Sequence, residues 1–252
     1  NADSLDVIWT PEQIEGHNRE YMRYQPQGDP NEHYDLYDVM KNVLGKPAID
    51  EETGRDVGYG SYPVAKFRVP VDTSLVRKNG TVNPDDAVLS EITFELPKEK
   101  ATPRSGILVR SDFMILNIIA SNQWKRPIYF TSAFGDLGFP QYLRKDGLAY
   151  RLVPVLSKGT QENWLAHQTL RQVGLGGSQI RDNNNAVIYN NLLTKYGFGG
   201  ADKKGIYFDE ENRRHLLNLR ALFGEAAGNL ADAGKKEEAK KLIEKVEAGI
   251  LP

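Results

Sequence analysis

RSDFMILNIIASNQWKRPIYF, residues Arg110 to Phe130, joins a nearly all-apolar helical stretch to a Trp-Lys-Arg-Pro corner and a short β run. Ser111 is placed to cap a helix through its hydroxyl, and Asp112 sits where the positive end of a helix dipole favours an anion. Phe113, Met114, Ile115, Leu116, Ile118, Ile119 and Ala120 leave almost no polar face, so the helix must be buried. Asn122 is the expected stop, Pro127 forces its predecessor out of the helical region, and Ile128 to Thr131 carry strand-forming side chains. The stretch predicts helix, corner, core strand. At the corner, Lys125 and Arg126 beside Trp124 are candidates to hold an anionic group by charge and stacking. A basic pair at a corner more often closes a salt bridge or faces water.

Outward from this stretch the pattern is mixed. Tyr34 to Leu44 reads as an amphipathic helix with Leu36, Tyr37, Met40, Val43 and Leu44 at helical spacing, ended by Gly45 and Pro47. Val64, Phe67, Val69 and Val71 form a strand bounded by Pro63 and Pro70. Ile92, Phe94 and Leu96 alternate with Glu91, Thr93 and Glu95, a strand with one face on a core and one in water. Gly147 to Leu156 reads as a further strand, and a short strand is expected at Leu5 to Ile8 and at Ile206 to Phe208. Asn163 to Val173 reads as a short helix, and Gly174, Gly176 and Gly177 as a loop whose spacing matches neither dinucleotide nor Walker fingerprints.

Asp182 or Asn183 is expected to cap a helix running to Tyr196. The final forty residues predict a helical hairpin. Asp209 caps a helix carrying Leu216, Leu219, Leu222, Phe223, Ala226, Ala227 and Leu230, Gly234 breaks it, and Ala239, Leu242, Ile243 and Val246 line a second helix. Its small residues resemble one tetratricopeptide (TPR) unit, which needs stacked neighbours; an ordinary αα-hairpin packed on its own domain fits as well. The fold class expected is α+β: a mostly antiparallel sheet with strands near Val64, Ile92, Ile128 and Leu152, covered by the Ser111 to Ser121 helix. We expect an α+β domain over 1–208 and the TPR-like hairpin over 209–252, an array if repeats continue.

Composition narrows the function classes. The 252 residues hold 32 basic and 34 acidic side chains, so no field argues for nucleic acid. The longest apolar run is far below the roughly 20 residues of a membrane span, so no span is expected within the chain. There is no cysteine, hence no disulfide and no thiolate metal site, which suits a reducing cytosol or a periplasm equally. The chain opens at Asn1 with no leader pattern and stops at Pro252 after a helical pattern, from which we expect a piece of a longer protein. Asn79-Gly80-Thr81 fits both a glycosylation sequon and a tight turn, with the turn preferred.

No complete active site is legible. His17, His33, His167 and His215 are isolated, with no metal-binding spacing, and no GxSxG elbow surrounds any serine. No catalytic residue, metal or cofactor is therefore expected. Asp136, in the loop after the Tyr129 to Thr131 strand, is the best-placed single acid, although a loop aspartate also turns or caps a chain. A carboxylate pair for glycosidic cleavage stays open, because such a pair is set by space rather than sequence.

Four collinear segments resemble one family: YPVAKFRVPVDTSLVRKNGTV at Tyr62 to Val82, SDFMILNIIASNQWKRPIYF at Ser111 to Phe130, DGLAYRL at Asp146 to Leu152, and NNAVIYNNLLTKYGFGG at Asn184 to Gly200. They are similar to the C-terminal soluble region of multispanning bacterial membrane proteins grouped with protein O-mannosyltransferase-like, lipid-linked-sugar glycosyltransferases, first catalogued as a domain of unknown function. The resemblance implies sugar transfer by loops of a membrane portion absent from this chain, and a position on the periplasmic side of the inner membrane. It transfers no catalytic residue here. The expected role is acceptor recognition, bracing of the parent membrane domain, or binding of an acceptor protein, a glycan or another partner. A protein-interaction module built on the hairpin and a stand-alone carbohydrate-active enzyme are the alternatives.

Overall fold

A computed structural model of the chain describes residues 8–9, 21–44, 49, 51–54, 61–131, 137–155 and 183–250. The features expected at Leu5 to Ile8, at Asn163 to Val173, at the Gly174 to Gly177 loop and at Asp136 lie wholly or mostly outside these residues. Internal contacts divide the chain into two compact units, Asn1–Leu143 with Arg151–Gln179, and Arg144–Tyr150 with Ile180–Pro252. The architecture is α+β with a C-terminal helical hairpin. Among the described residues, its strands are shared among three small sheets of three strands each.

In the first unit, β1 (Tyr21–Tyr24) lies between β3 (Ser61–Tyr62), which it pairs in parallel, and β6 (Ile107–Val109), which it pairs antiparallel. β4 (Lys66–Pro70) lies between β2 (Tyr34–Asp35) in parallel and β5 (Glu91–Glu95) antiparallel, with Phe67 opposite Phe94 and Val69 opposite Ile92. These cross-strand pairs put the apolar alternation on one face, and Phe67, Val69, Ile92 and Phe94 are all buried. β5 is an edge, and Tyr142 closes it: its hydroxyl accepts from Thr93 N at 3.2 Å and donates to Thr93 O at 3.1 Å. A side chain thus satisfies backbone groups that would otherwise invite another strand. The third sheet has the order β7 (Tyr129–Phe130), β9 (Tyr150–Leu152), β8 (Leu143–Lys145).

Short helices link these strands. α1 (Leu36–Asp38) continues as a π-helix over Val39–Val43, so the expected helix begins two residues late, because Tyr34 and Asp35 are taken by β2. Asp35 caps it by accepting from Tyr37 N at 2.9 Å and Asp38 N at 3.2 Å. α2 (Thr73–Lys78) is capped in the same way by Asp72, and α3 (Lys98–Ala101) follows β5.

α4 (Arg110–Asn122) is the apolar helix, with Phe113, Leu116, Ile119 and Ala120 buried. Ser111 does not cap it. The cap position belongs to Val109, and Asp112, three residues further in than the cap, reaches back to accept from Val109 N at 3.0 Å. A carboxylate on the third helical residue meets both an orphan N–H and the helix dipole, which a hydroxyl on the second cannot. Asp112 is itself buried and accepts from Lys100 Nζ at 2.5 Å, joining α4 to α3. Aromatic rings complete this core: Tyr62 lies 5.3 Å from Tyr24 and 6.1 Å from Phe113, and Phe94 lies 5.4 Å from Phe139.

In the second unit, α5 (Asn185–Thr194) packs with α6 (Glu210–Asp232) and α7 (Lys236–Gly249) around Ile188, Leu192, Phe223, Ala227, Leu230 and Leu242. Asp209 caps α6 by accepting from Asn212 N at 2.8 Å, and Gly234, at φ +79°, turns the chain between α6 and α7 as expected. The cap of α5 is Asn184, one residue later than anticipated. Residues 206–208 form no strand; they have β-forming side chains but no neighbouring strand to pair with.

Lys245 on α7 holds the end of α5. Its ammonium donates to Leu192 O at 2.7 Å, Leu193 O at 2.9 Å and Tyr196 O at 2.8 Å, so all three protons answer carbonyls at the negative pole of that helix. Burial pushes this ammonium below its ordinary value, a cost that the three carbonyls offset.

Candidate functional site

The Trp124 corner is built by strained backbone held from several sides. Gln123 and Trp124 both take left-handed φ, +43° and +60°, a conformation costing roughly 1 kcal/mol or more per non-glycine residue. Four bonds hold it there: Lys125 N to Asn122 O at 2.8 Å, Asn122 Nδ2 to Arg126 O at 2.7 Å, Asn79 Nδ2 to Trp124 O at 2.7 Å, and the indole N–H to Pro70 O at 2.8 Å. Trp124 is 5% exposed, so its ring serves the core, while Lys125 and Arg126 are the exposed members of the trio.

The Asn79-Gly80-Thr81 segment is the tight turn that was preferred. Asn79 Oδ1 accepts from Thr81 N at 3.0 Å and Thr81 Oγ1 at 2.7 Å, and Gly80 has φ +76°. Because the Asn79 amide also donates to Trp124, its nitrogen is committed to the fold. Arg151, buried, donates to Gly80 O and lies 5.9 Å from the Tyr129 ring, which fixes the same turn from another strand.

The second unit carries the other candidate, an open groove of ≈ 700 Å³. One wall is the segment Lys203 to Phe208; the other is the outer stripe of α6, with Arg213, Leu216, Leu217 and Arg220 at helical spacing. Among the described residues, four cations and no carboxylate line it. Tyr207 is 82% exposed and Leu217 64%, large values for an aromatic and a leucine. Arg213 stands 5.9 Å from the Tyr207 ring, and Arg220 donates to Ile250 O at 2.7 Å. Among the described residues, the side chains of Lys203, Lys204 and Arg213 make no hydrogen bond or ion pair. Such a surface can receive an anion that also carries apolar groups. No single motif announces it: its cations are spread over a turn and two separate turns of α6.

Among the described residues, no three histidine, aspartate or glutamate side chains gather as a metal-ion cluster. Asp35, beside His33, caps α1, and His215 faces Glu211 at 3.1 Å on the surface of α6. No helix among the described residues is long and apolar enough to cross a membrane.

The model of one protein family, TMEM260-associated domain 2, matches residues 1–169. The chain belongs to this family. The matched segment takes in the Trp124 corner and ends before the groove, and the family has no assigned function. No curated protein and no solved structure matches the chain.

Proposed function

We propose that this chain is a periplasmic, non-catalytic binding domain of a membrane-embedded, glycosyltransferase-like protein, and that it recognises the acceptor or another partner of that protein. The groove carries this reading: three cations without an ion pair and exposed apolar side chains form a surface suited to attract and hold a ligand, with no acid lining it among the described residues. The family description, with its reference to TMEM260, supports a membrane-protein context. The four collinear segments support the glycosyltransferase-like parent and, through it, the periplasmic side.

Deleting this region from the parent tests the proposal. The truncated parent is expected to insert in the membrane and to lose transfer to its acceptor, and a reporter fused after Ile250 is expected to be active on the periplasmic side. Sugar-transfer or sugar-cleaving turnover by the purified chain, abolished by changing an acid within it, would overturn the proposal. So would a parent without membrane spans. A second reading, an interaction module built on TPR-like helices, is favoured by the α6–α7 hairpin, and continuing repeats in the downstream sequence would decide for it.

A further inference from the structure

We infer that the α6 groove takes an acidic peptide segment in which carboxylates are interspersed with large apolar side chains. The inference rests on the reading of the chain as a binding domain and names what is bound.

The geometry begins with unequal helices. α6 has 23 residues and α7 has 14, so α6 extends past its partner by roughly 13 Å at 1.5 Å per residue. The C-terminal half of α6 buries Leu222, Phe223, Ala226, Ala227 and Leu230. Its first turns instead present Arg213, Leu217 and Arg220 to the groove, a stripe of alternating charge and apolar surface. Across from them, Lys203 and Lys204 precede Ile206 and Tyr207, 45% and 82% exposed. Both walls therefore repeat one chemistry, cation beside exposed apolar side chain.

Of the acids beside these cations in sequence, Asp202 and Glu210 form no ion pair with them. Asp209 caps α6, and Glu211 pairs with Arg214 at 2.7 Å. Lys203, Lys204 and Arg213 are thus left for an incoming ligand, while Arg220 already donates to Ile250 O, in a chain whose net charge is −2. A small inorganic anion would neutralise them and leave Ile206, Tyr207 and Leu217 in water. A neutral apolar peptide would cover those three and leave the cations beside it without partners, which is unfavourable once water is displaced. An anionic membrane surface is flat and would reach the rim of a concave site. A short acidic, apolar-bearing segment satisfies both sets at once.

Fluorescence anisotropy on the full chain tests this with a fluorescein-labelled nine-residue peptide alternating Glu with Leu and Phe. The same peptide with Gln or Lys in place of Glu, fluorescein-labelled inorganic-phosphate mimics, and vesicles of anionic lipid are the other arms. The acidic peptide is expected to bind saturably, and the Gln and Lys forms at least about 10-fold more weakly. Binding should weaken by about 10-fold or more in Lys203→Glu/Lys204→Glu and in Arg213→Glu, by several-fold in Leu217→Ala, and not in Lys236→Glu on another surface. Raising salt should weaken it as well. The exchanged side chains are exposed, and far-UV circular dichroism checks that the helices persist.

Lack of saturable binding, equal binding of the Gln peptide, indifference to both charge reversals, or binding of the vesicles alone would overturn the inference. Failure here, with loss of acceptor transfer on deleting the whole region, would leave the binding-domain reading standing and remove only the acidic-peptide ligand.

Discussion

Replacing Asp112 by Asn tests how the apolar helix is anchored. Asn keeps the size of the side chain and an oxygen able to accept from Val109 N, so the cap survives while the charge is lost. The Lys100 ammonium, with its side chain 19% exposed and its partner 5%, is then left without the carboxylate 2.5 Å away. Breaking a buried pair by removing one partner costs about 3–5 kcal/mol. Because Lys100 retains some contact with water, about 2–3 kcal/mol is expected for Asp112→Asn.

Lys100→Met leaves the anion in place, where the helix dipole and Val109 N–H still favour it, and should cost about 2 kcal/mol. The double variant removes both charges and should cost no more than either single one, giving a coupling of about 2 kcal/mol. Urea denaturation monitored by tryptophan fluorescence measures the cycle. Additive losses, or single losses below about 0.5 kcal/mol, would show that the pair does not anchor α4.

Three further outcomes follow from the same structure. Gly138→Ala should cost more than about 3 kcal/mol or prevent folding, because a Cβ there would lie 1.8 Å from Glu95 O at φ +85°; a melting temperature near wild type would contradict it. Lys245→Met should cost about 2 kcal/mol and speed hydrogen exchange at the C-terminal turn of α5, since three carbonyls lose a charged donor; unchanged exchange would contradict it. Burial, then the nearby Tyr24 and Asp112, raises the Tyr62 phenol above the ordinary tyrosine value of 10.0. The folded state therefore holds the proton more tightly, and stability present below pH 10 is lost as pH climbs beyond it. Tyr62→Phe should lose about 1 kcal/mol at neutral pH, with the hydroxyl bond to Lys100 O, and show a shallower alkaline decline; an unaltered alkaline limb would refute the assignment.

Local chemistry made several elements legible in the sequence. The run Phe113 to Ala120 has too little polar surface to be anything but a buried helix, the alternation at Ile92 and Phe94 marks a one-sided strand, and Asp209 and Gly234 bracket α6. What escaped was set by partners distant in sequence. Trp124 reads locally as a stacking platform beside two cations, but its N–H finds Pro70 O, 54 residues away, and its carbonyl finds Asn79. Ser111 looks like a cap until Lys100 fixes Asp112 where it can reach Val109. The pairing of β1 with both β3 and β6 joins short segments too brief for periodicity to register.

The groove was illegible for a related reason. Ile206 and Tyr207 suggest a strand by propensity, and Arg213 and Arg220 suggest an ordinary solvated helix face. Only the turn before Asp209 brings these residues together, and only the short α7 leaves the first turns of α6 uncovered.

We propose that this region binds for its parent and leaves the chemistry elsewhere. The most direct test is the acceptor dependence of transfer by the full-length parent, with and without Lys203→Glu, Lys204→Glu and Arg213→Glu combined. The acceptor KM should rise by about 10-fold or more with kcat little changed, as when uniform binding is lost. An unchanged KM, or a kcat that collapses while KM holds, would contradict it.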